Sequence, residues 1–141
     1  MVSRDPAGWE VGVKSIKLSG PFLSEFGPVT SNPFTTSELR IQFIHADHVT
    51  HPTTHEMWMN EGWESIGRSD HCALQGVWRK NRVLTYQGHA EFDRFINTET
   101  VKVFGAKVWS TEFMEEALKM IAKEDDALWA AGVILKFFMG S

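Results

Sequence analysis

The spacing of apolar residues changes close to residue 90 of this chain. Before that point, apolar side chains recur at every second position in several short runs, which is the pattern of half-buried β-strands. After it, they recur every three or four residues, which is the pattern of amphipathic helices. Strands followed by helices in one chain predict an α/β or α+β domain.

The strand pattern is clearest in four runs. The first covers residues 8–18, where Trp9, Val11 and Val13 alternate, while Ile16 and Leu18 continue on the opposite parity. A β-bulge near Ser15 would reconcile the two halves. The other runs are residues 39–47, 72–78 and 82–87, and the last two predict a hairpin that turns at residues 79–81.

Two segments between these runs predict loops. Residues 19–37 contain three prolines and two glycines, which predicts a long loop. Residues 50–62 fit no period, which predicts a mobile or ligand-facing loop.

Three helices are predicted in the last third of the chain. A short helix over residues 92–105 ends near Gly105, and Ser110 caps a second helix that continues to Ile121. Asp125 is predicted to cap a third. Its apolar stripe, which we expect to face the core, is Leu128, Ala131, Leu135 and Phe138.

Composition narrows the class of protein. The chain has 141 residues, the usual size of one domain, and a formal charge of -4, which gives no electrostatic footprint for nucleic acid or an anionic membrane. Its single cysteine, Cys72, cannot form an internal disulfide, and the N-terminus has no signal-peptide pattern. We therefore predict a cytoplasmic protein without nucleic-acid or membrane partners.

The segment from Val83 to Phe92, Val-Leu-Thr-Tyr-Gln-Gly-His-Ala-Glu-Phe, resembles the C-terminal signature of class I glutamine amidotransferases, in which a strand ends in Gln-Gly-His-Pro-Glu-Phe. Four further segments resemble that family in the same order, so the resemblance covers about residues 7–139. They are residues 8–13, 45–49, 69–76 and 130–138.

The resemblance implies one truncated glutamine amidotransferase-like domain over residues 1–141. Its fold would be the C-terminal half of the family's α/β domain, with a small mixed or antiparallel sheet of four to six strands and two or three C-terminal helices. Half of such a fold leaves an apolar face and a sheet edge uncovered, so we expect a homodimer.

The same match implies a catalytic pair. In the family, a histidine takes the proton of a cysteine nucleophile and a glutamate two residues later orients the imidazole, which by position implies His89 as base and Glu91 as its orienter. Residues i and i+2 that leave a strand project to the same side, so the carboxylate can hold one ring nitrogen. Ala90 stands where the family has proline, and its freer φ makes the connection less rigid.

The family's nucleophile is missing from this sequence. No Gly-x-Cys-x-Gly elbow occurs, and Cys72 matches a non-nucleophilic position at the start of a predicted strand. We interpret Cys72 as a buried, small apolar residue. The chain is therefore not expected to hydrolyse glutamine by itself.

A second group of polar residues, His45-Ala46-Asp47-His48, offers two readings. Two imidazoles and a carboxylate could bind a divalent metal, and the string overlaps the end of a His-x-His-x-Asp-His metallohydrolase pattern. Phe43 replaces the first histidine of that pattern, and the resemblance already accounts for the segment as a strand end lining a cleft. We expect no metal and no other cofactor, and assign these residues to substrate binding.

Six tryptophans and ten phenylalanines also have two interpretations. Most are predicted to fill the core, but some could wall an apolar cavity for a ligand. The predicted site therefore has His89 and Glu91 as catalytic residues. The predicted substrate-binding residues are His45, Asp47, His48, Trp58, Trp63 and Tyr86.

Three functions remain open at this point. The first is a repurposed enzyme that uses His89 and Glu91 as an acid/base pair on a small organic substrate, in isomerisation, cyclisation, elimination or dehydration, for example in natural-product biosynthesis. The second is a subunit or fragment of a split glutamine amidotransferase whose cysteine half lies on another chain. The third is a non-catalytic binding domain that retains the pair.

Overall fold

The structure is a computed structural model that describes residues 2–49 and 61–140. Trp58 and nearly all of the predicted loop at residues 50–62 lie outside the described residues. The strands are β1 Val2–Arg4, β2 Glu10–Leu18, β3 Glu38–His45, β4 Asp47–Val49, β5 Glu64–Ser65, β6 Gly67–Arg68, β7 Val77–Arg79 and β8 Val83–Leu84. The helices are α1 Gly20–Phe26, α2 Arg94–Gly105, α3 Thr111–Ile121 and α4 Ala127–Met139.

The mixed α/β class predicted from the sequence is confirmed, and every strand pair in the described part of the chain is antiparallel. The strands form three small sheets, in the orders β1-β4, β3-β2-β6 and β5-β7-β8. The long β2–β3 pair is the centre of the fold. It runs without interruption from Glu10 opposite His45 to Lys17 opposite Glu38.

Strand β2 changes its buried face along its length, and this corrects the predicted bulge near Ser15. Val11 packs with α2 and α3 in one core, whereas Ile16 and Leu18 belong to a second core on the other side of the sheet. The opposite parities in the sequence therefore reflect two cores and not a shift in register. Near the first core, Gly12 has a φ of +82° and lies against the backbone of α3, where a side chain would collide with Met120.

The segment predicted as a long loop contains helix α1. The Ser19 hydroxyl caps this helix by accepting a hydrogen bond from the Phe22 amide at 3.3 Å, and a proline sits in its first turn. Phe22 is fully buried in the second core. A seven-residue helix carries too few apolar positions to stand out from the prolines and glycines around it.

The predicted hairpin is present but shorter than expected. β7 and β8 turn through residues 80–82, and Asn81 adopts the left-handed conformation with a φ of 56°. Residues 72–76 are not part of a strand, because the loop folds back on the Ser69 hydroxyl, which accepts the amides of His71 and Cys72.

Helix α4 begins one residue later than predicted, with Asp126 instead of Asp125 at its N-cap. The Asp126 carboxylate is buried and makes no capping bond; it binds the Arg40 guanidinium in a bidentate pair at 2.9 Å on each oxygen. The Ser31 hydroxyl donates a further hydrogen bond to it at 2.8 Å. Asp125 caps only the Ala127 amide, at 3.1 Å. The buried ion pair therefore fixes α4 to β3.

The predicted core stripe of α4 is wrong. Ala130 and Val133 face the core, while Leu128 is 91% and Phe138 80% exposed. Further apolar side chains are exposed on α4, on α2 and in the connection that follows α2, namely Leu135, Met139, Phe95, Val103, Phe104 and Val108. The helix thus points its richest apolar stripe away from this chain's own core. None of the helices in the described ranges is long and apolar enough to cross a membrane.

Candidate functional site

The predicted pair His89 and Glu91 is assembled in the structure. His89 Nδ1 lies 2.8 Å from a Glu91 carboxylate oxygen, and the imidazole stacks on the Phe92 ring with centroids 4.0 Å apart. With Nδ1–H donating to Glu91, the Nε2 of the neutral ring is the free acceptor. No hydrogen bond to Nε2 is formed within the described residues. The geometry leaves one ring nitrogen available to a bound molecule.

The backbone at His89 is anchored to the buried centre of the fold. Its amide donates to the Gln42 carbonyl of β3 at 2.7 Å, and the fully buried Gln42 side chain bonds Asn97 of α2 and the Ile121 carbonyl of α3. Gly88 lies so close to the side chains of β3 that a Cβ there would collide with the ring of Phe43. The pair therefore rests on a rigid support, although its own side chains are partly exposed.

The Glu91 carboxylate stays ionised beside the imidazole. Partial burial alone would raise the pKa of Glu91. The hydrogen bond with His89, a backbone hydrogen bond and the charge of the imidazole together outweigh burial and hold this pKa below its usual value. A carboxylate in this state fixes the orientation of the imidazole and stabilises the imidazolium that forms when Nε2 takes up a proton.

The pair lines a cavity of about 350 Å³ between the β8 segment and helix α4. Ile134, Phe137 and Phe138 supply an apolar wall, and Tyr86 lines it from the β8 side. The Tyr86 hydroxyl is buried without a hydrogen-bond partner in the described structure, and burial raises the pKa of Tyr86 so that it remains a neutral donor. A volume of this size and a few polar groups on an apolar wall are typical of small-ligand sites.

A second polar cluster surrounds Glu10 at the start of β2. Its buried carboxylate accepts hydrogen bonds from Ser69 Oγ at 2.9 Å and Gln75 Nε2 at 2.8 Å, and His45 Nε2 lies 2.9 Å away. Burial raises the pKa of Glu10, but these contacts outweigh burial and lower it overall. These hydrogen bonds attach the first residue of β2 to the loop at residues 69–76.

A third cluster surrounds Asp5, which is buried in the β1–β2 connection. Asp5 Oδ2 lies 3.0 Å from His48 Nδ1 and 3.2 Å from His71 Nε2, and its Oδ1 accepts the Ala7 amide at 2.8 Å. Burial raises the pKa of Asp5, but the Ala7 amide and the two imidazoles together outweigh burial, so the pKa is below its usual value. The buried thiol of Cys72 lies beside this cluster.

The structure divides the predicted substrate-binding residues among these places. Tyr86 lies in the cavity of His89, whereas His45 and His48 bind two other carboxylates and Asp47 is exposed on β4. Trp63 does not line that cavity either; its ring contacts the Arg79 guanidinium. Among the predicted substrate-binding residues that the structure describes, Tyr86 is therefore the one that shares a cavity with His89 and Glu91.

The sequence did not predict two features of these sites, the wall that α4 contributes to the cavity and the contact of Asp5 with His71. Ile134, Phe137 and Phe138 belong to a helix that was expected to pack entirely on the core. Asp5 and His71 are far apart in the chain, and no local spacing links them. The prediction that Cys72 is buried is confirmed, since it is 3% exposed.

Comparison with known proteins supports the family resemblance. A Saccharomyces cerevisiae protein named "Putative glutamine amidotransferase" is 30% identical over 138 residues, which cover 98% of this chain and 49% of that protein. A Schizosaccharomyces pombe protein named as glutamine amidotransferase-like is 29% identical over 139 residues, or 98% of this chain and 50% of its own length. No family model matches the chain.

Solved structures give the same fold. A glutamine amidotransferase from Methylobacillus flagellatus superimposes with a TM-score of 0.66 at 19% identity, over 99% of this chain and 55% of that one. One from Thermotoga maritima superimposes with a TM-score of 0.65 at 17% identity, over 100% of this chain and 55% of its own. The chain thus spans about half the length of the curated relatives and structures that it matches.

Proposed function

We propose that this chain, which is glutamine amidotransferase-like in sequence and fold, acts on a small organic molecule bound in the cavity of His89 and Glu91. The observation that carries the proposal is the 2.8 Å contact of His89 Nδ1 with Glu91 beside a cavity of about 350 Å³. The pair is held by the buried Gln42 network, and Tyr86, whose hydroxyl is buried without a partner, lines the cavity. These features suit general acid/base catalysis.

The proposed chemistry needs no covalent intermediate. His89 Nε2 takes a proton from a carbon or hydroxyl group of the substrate, Glu91 stabilises the resulting imidazolium, and the imidazolium returns the proton to another atom of the same molecule. An isomerisation is balanced by these two proton transfers alone, while an elimination or dehydration uses the returned proton on the leaving group.

Glutamine hydrolysis by this chain alone is not part of the proposal. The single cysteine does not line the cavity of His89; its Sγ accepts a hydrogen bond from Gln87 Nε2 at 3.3 Å and contacts the Leu74 carbonyl. Burial raises the pKa of the Cys72 thiol, which keeps it in its less nucleophilic form.

We expect no ammonia above background when the purified chain is incubated with glutamine. A coupled ammonia assay measures this, with Cys72→Ala as the control. Glutamine turnover that disappears in Cys72→Ala would make Cys72 a nucleophile and contradict the proposal.

A second candidate is half of a split amidotransferase, and the exposed stripe on α4 favours it. Leu128, Leu135 and Met139 form one line along the helix, and all three are mostly exposed. A companion chain with the nucleophile elbow would cover this stripe and supply the cysteine. In that case ammonia release would appear only when both chains are mixed.

We propose that a second copy of the chain covers this stripe in the absence of such a companion. Exposed Gly132 lies between Leu128 and Leu135, so a partner helix can approach the backbone closely. We expect a dimeric mass by light scattering at micromolar concentration. A Leu135→Glu variant should be monomeric, because it places a charge in the buried interface.

Val103→Glu is the matched control for the dimer. Val103 is 64% exposed on α2, against 63% for Leu135, so this variant should keep the dimeric mass. A monomeric parent protein with a sharp thermal transition would contradict the homodimer and favour the companion chain.

A further inference from the structure

We propose that Asp5, His48 and Cys72, with His71 as the fourth ligand, form a zinc site. The site lies apart from the His89 cavity, and it does not depend on the proposed function. It joins the β1–β2 connection, strand β4 and the loop at residues 69–76.

Three of the four ligand atoms are already close together, and the fourth contacts one of them. One oxygen of Asp5, one nitrogen of His48 and the Cys72 sulfur all lie within 4.8 Å of one another. His71 Nε2 lies 3.2 Å from the same Asp5 oxygen. Two oxygen or nitrogen ligands at about 2.0 Å from a tetrahedral zinc ion are themselves about 3.3 Å apart. The Asp5–His48 and Asp5–His71 distances of 3.0 and 3.2 Å match this spacing. A sulfur ligand at about 2.3 Å from zinc lies about 3.5 Å from the other ligand atoms, so the Cys72 sulfur needs to move by up to roughly 1.3 Å.

Two of these atoms have no hydrogen bond to satisfy them. Asp5 Oδ2 and His71 Nε2 are both buried without a hydrogen-bond partner, although they lie 3.2 Å apart. The Asp5 side chain is only 1% exposed. A buried carboxylate oxygen with no donor is costly, and a bound cation would satisfy it together with the imidazoles.

The donor set selects the metal. A thiolate, two imidazoles and one carboxylate oxygen are ligands of Zn²⁺, whereas Mg²⁺ and Ca²⁺ prefer an all-oxygen set. Four protein ligands leave no open position, which is typical of a structural zinc site. The ion would therefore stabilise the fold and not take part in catalysis.

Neighbouring groups already orient the ligands. Gln87 Nε2 donates to the Cys72 sulfur at 3.3 Å, and the Ala7 amide donates to Asp5 Oδ1, which leaves Oδ2 directed at the imidazoles. Outer contacts of this kind hold metal ligands in place. A groove of about 430 Å³, lined by Ala7, Glu10 and His71 among others, gives an ion access from solvent.

The sequence pointed to a different set of ligands. The sequence pattern groups His45, Asp47 and His48 and predicts substrate binding there without a metal. The structure separates them, since His45 contacts Glu10 while His48 contacts Asp5. Only His48 is common to the two sets.

The test uses the full chain without an affinity tag, stripped with a chelator and titrated with Zn²⁺ or Co²⁺. We expect one equivalent to bind, a rise in Tm with Zn²⁺, and a thiolate-to-cobalt charge-transfer band with Co²⁺. Because Cys72 is the single cysteine, that band identifies it as a ligand even without a variant. Absence of stoichiometric zinc binding, or a cobalt complex without the band, would overturn the proposal.

Variants then locate the other ligands. Cys72→Ser should remove the band, and His48→Ala should weaken zinc binding by more than the roughly 10–100-fold cost of losing an outer contact. Circular dichroism without metal checks that each variant folds, and Asp5→Asn replaces any variant that does not. His89→Ala is the matched control and should bind zinc like the parent. Binding that His48→Ala and Asp5→Asn leave unchanged would place the ion elsewhere and overturn the proposal.

Discussion

We expect the replacement of His89 by alanine to lower kcat for the substrate of the proposed reaction by about 10²–10⁴-fold, the usual contribution of a general acid/base group. The loss arises because Nε2 is the proton acceptor of the proposed reaction. Folding should not change, since the His89 side chain is 31% exposed and its anchor to Gln42 is a backbone hydrogen bond. Steady-state kinetics and thermal unfolding of the same preparation separate the two effects.

Glu91→Gln provides the graded comparison for His89→Ala. Glutamine keeps the shape of the side chain but loses the charge that stabilises the imidazolium, so kcat should fall less than in His89→Ala. Both variants should bind the substrate with a similar KM, because neither removes the apolar wall. Turnover unchanged in both variants would mean that the pair is a relic, and the binding-domain interpretation would replace the enzyme.

Asp126→Ala is expected to lower the free energy of unfolding by about 3–5 kcal/mol, because it leaves the partly buried Arg40 guanidinium without its partner. Three hydrogen bonds from Arg40 and one from Ser31 end on this carboxylate. Urea unfolding measures the loss. Glu99→Gln, which breaks the exposed Glu99–Lys102 pair, is the control and should cost less than about 1 kcal/mol.

The Asp126 carboxylate also makes the stability of the fold depend on pH, and this contribution is lost in acid. Burial raises the pKa of Asp126, but the hydrogen bonds from Arg40 and Ser31 outweigh burial and lower it below its unfolded value of about 3.9. Its stabilisation is therefore complete above that unfolded pKa and is lost as the pH falls through the lower folded pKa. The stability difference between the parent and Asp126→Asn should be largest near neutral pH and shrink below about pH 4. A difference that grows in acid would contradict this account of Asp126.

Features with local causes could be predicted from the sequence. The alternation in β2 and β3, the Ser110 cap and the turn at Asn81 each depend on residues close together in the chain. The contact of His89 with Glu91 is of the same kind, because it joins two residues that are only two positions apart in the chain.

Features that depend on residues far apart in the chain, or on contact with another molecule, could not be predicted from the sequence. The contact of Asp5 with His71 joins segments with no shared period. The sequence of α4 shows an apolar stripe, but its periodicity does not say whether the stripe faces the core of this chain or a partner. The opposite parities of Val11 and Ile16 likewise depend on the tertiary fold, because α2 and α3 pack in one core with β2 while α1 and α4 pack in the other.

The most direct test of the central claim is a titration of the ¹⁵N-labelled chain with a library of small organic molecules, followed through the histidine ring resonances. We expect the molecules that bind to shift the His89 ring resonances, because its Nε2 is available beside the cavity. Ile134→Trp, which fills the cavity from α4, should abolish these shifts, whereas Leu128→Trp on the exposed face of the same helix should preserve them. Ligands that bind without moving the His89 resonances, or that bind Ile134→Trp as they bind the parent, would contradict the account.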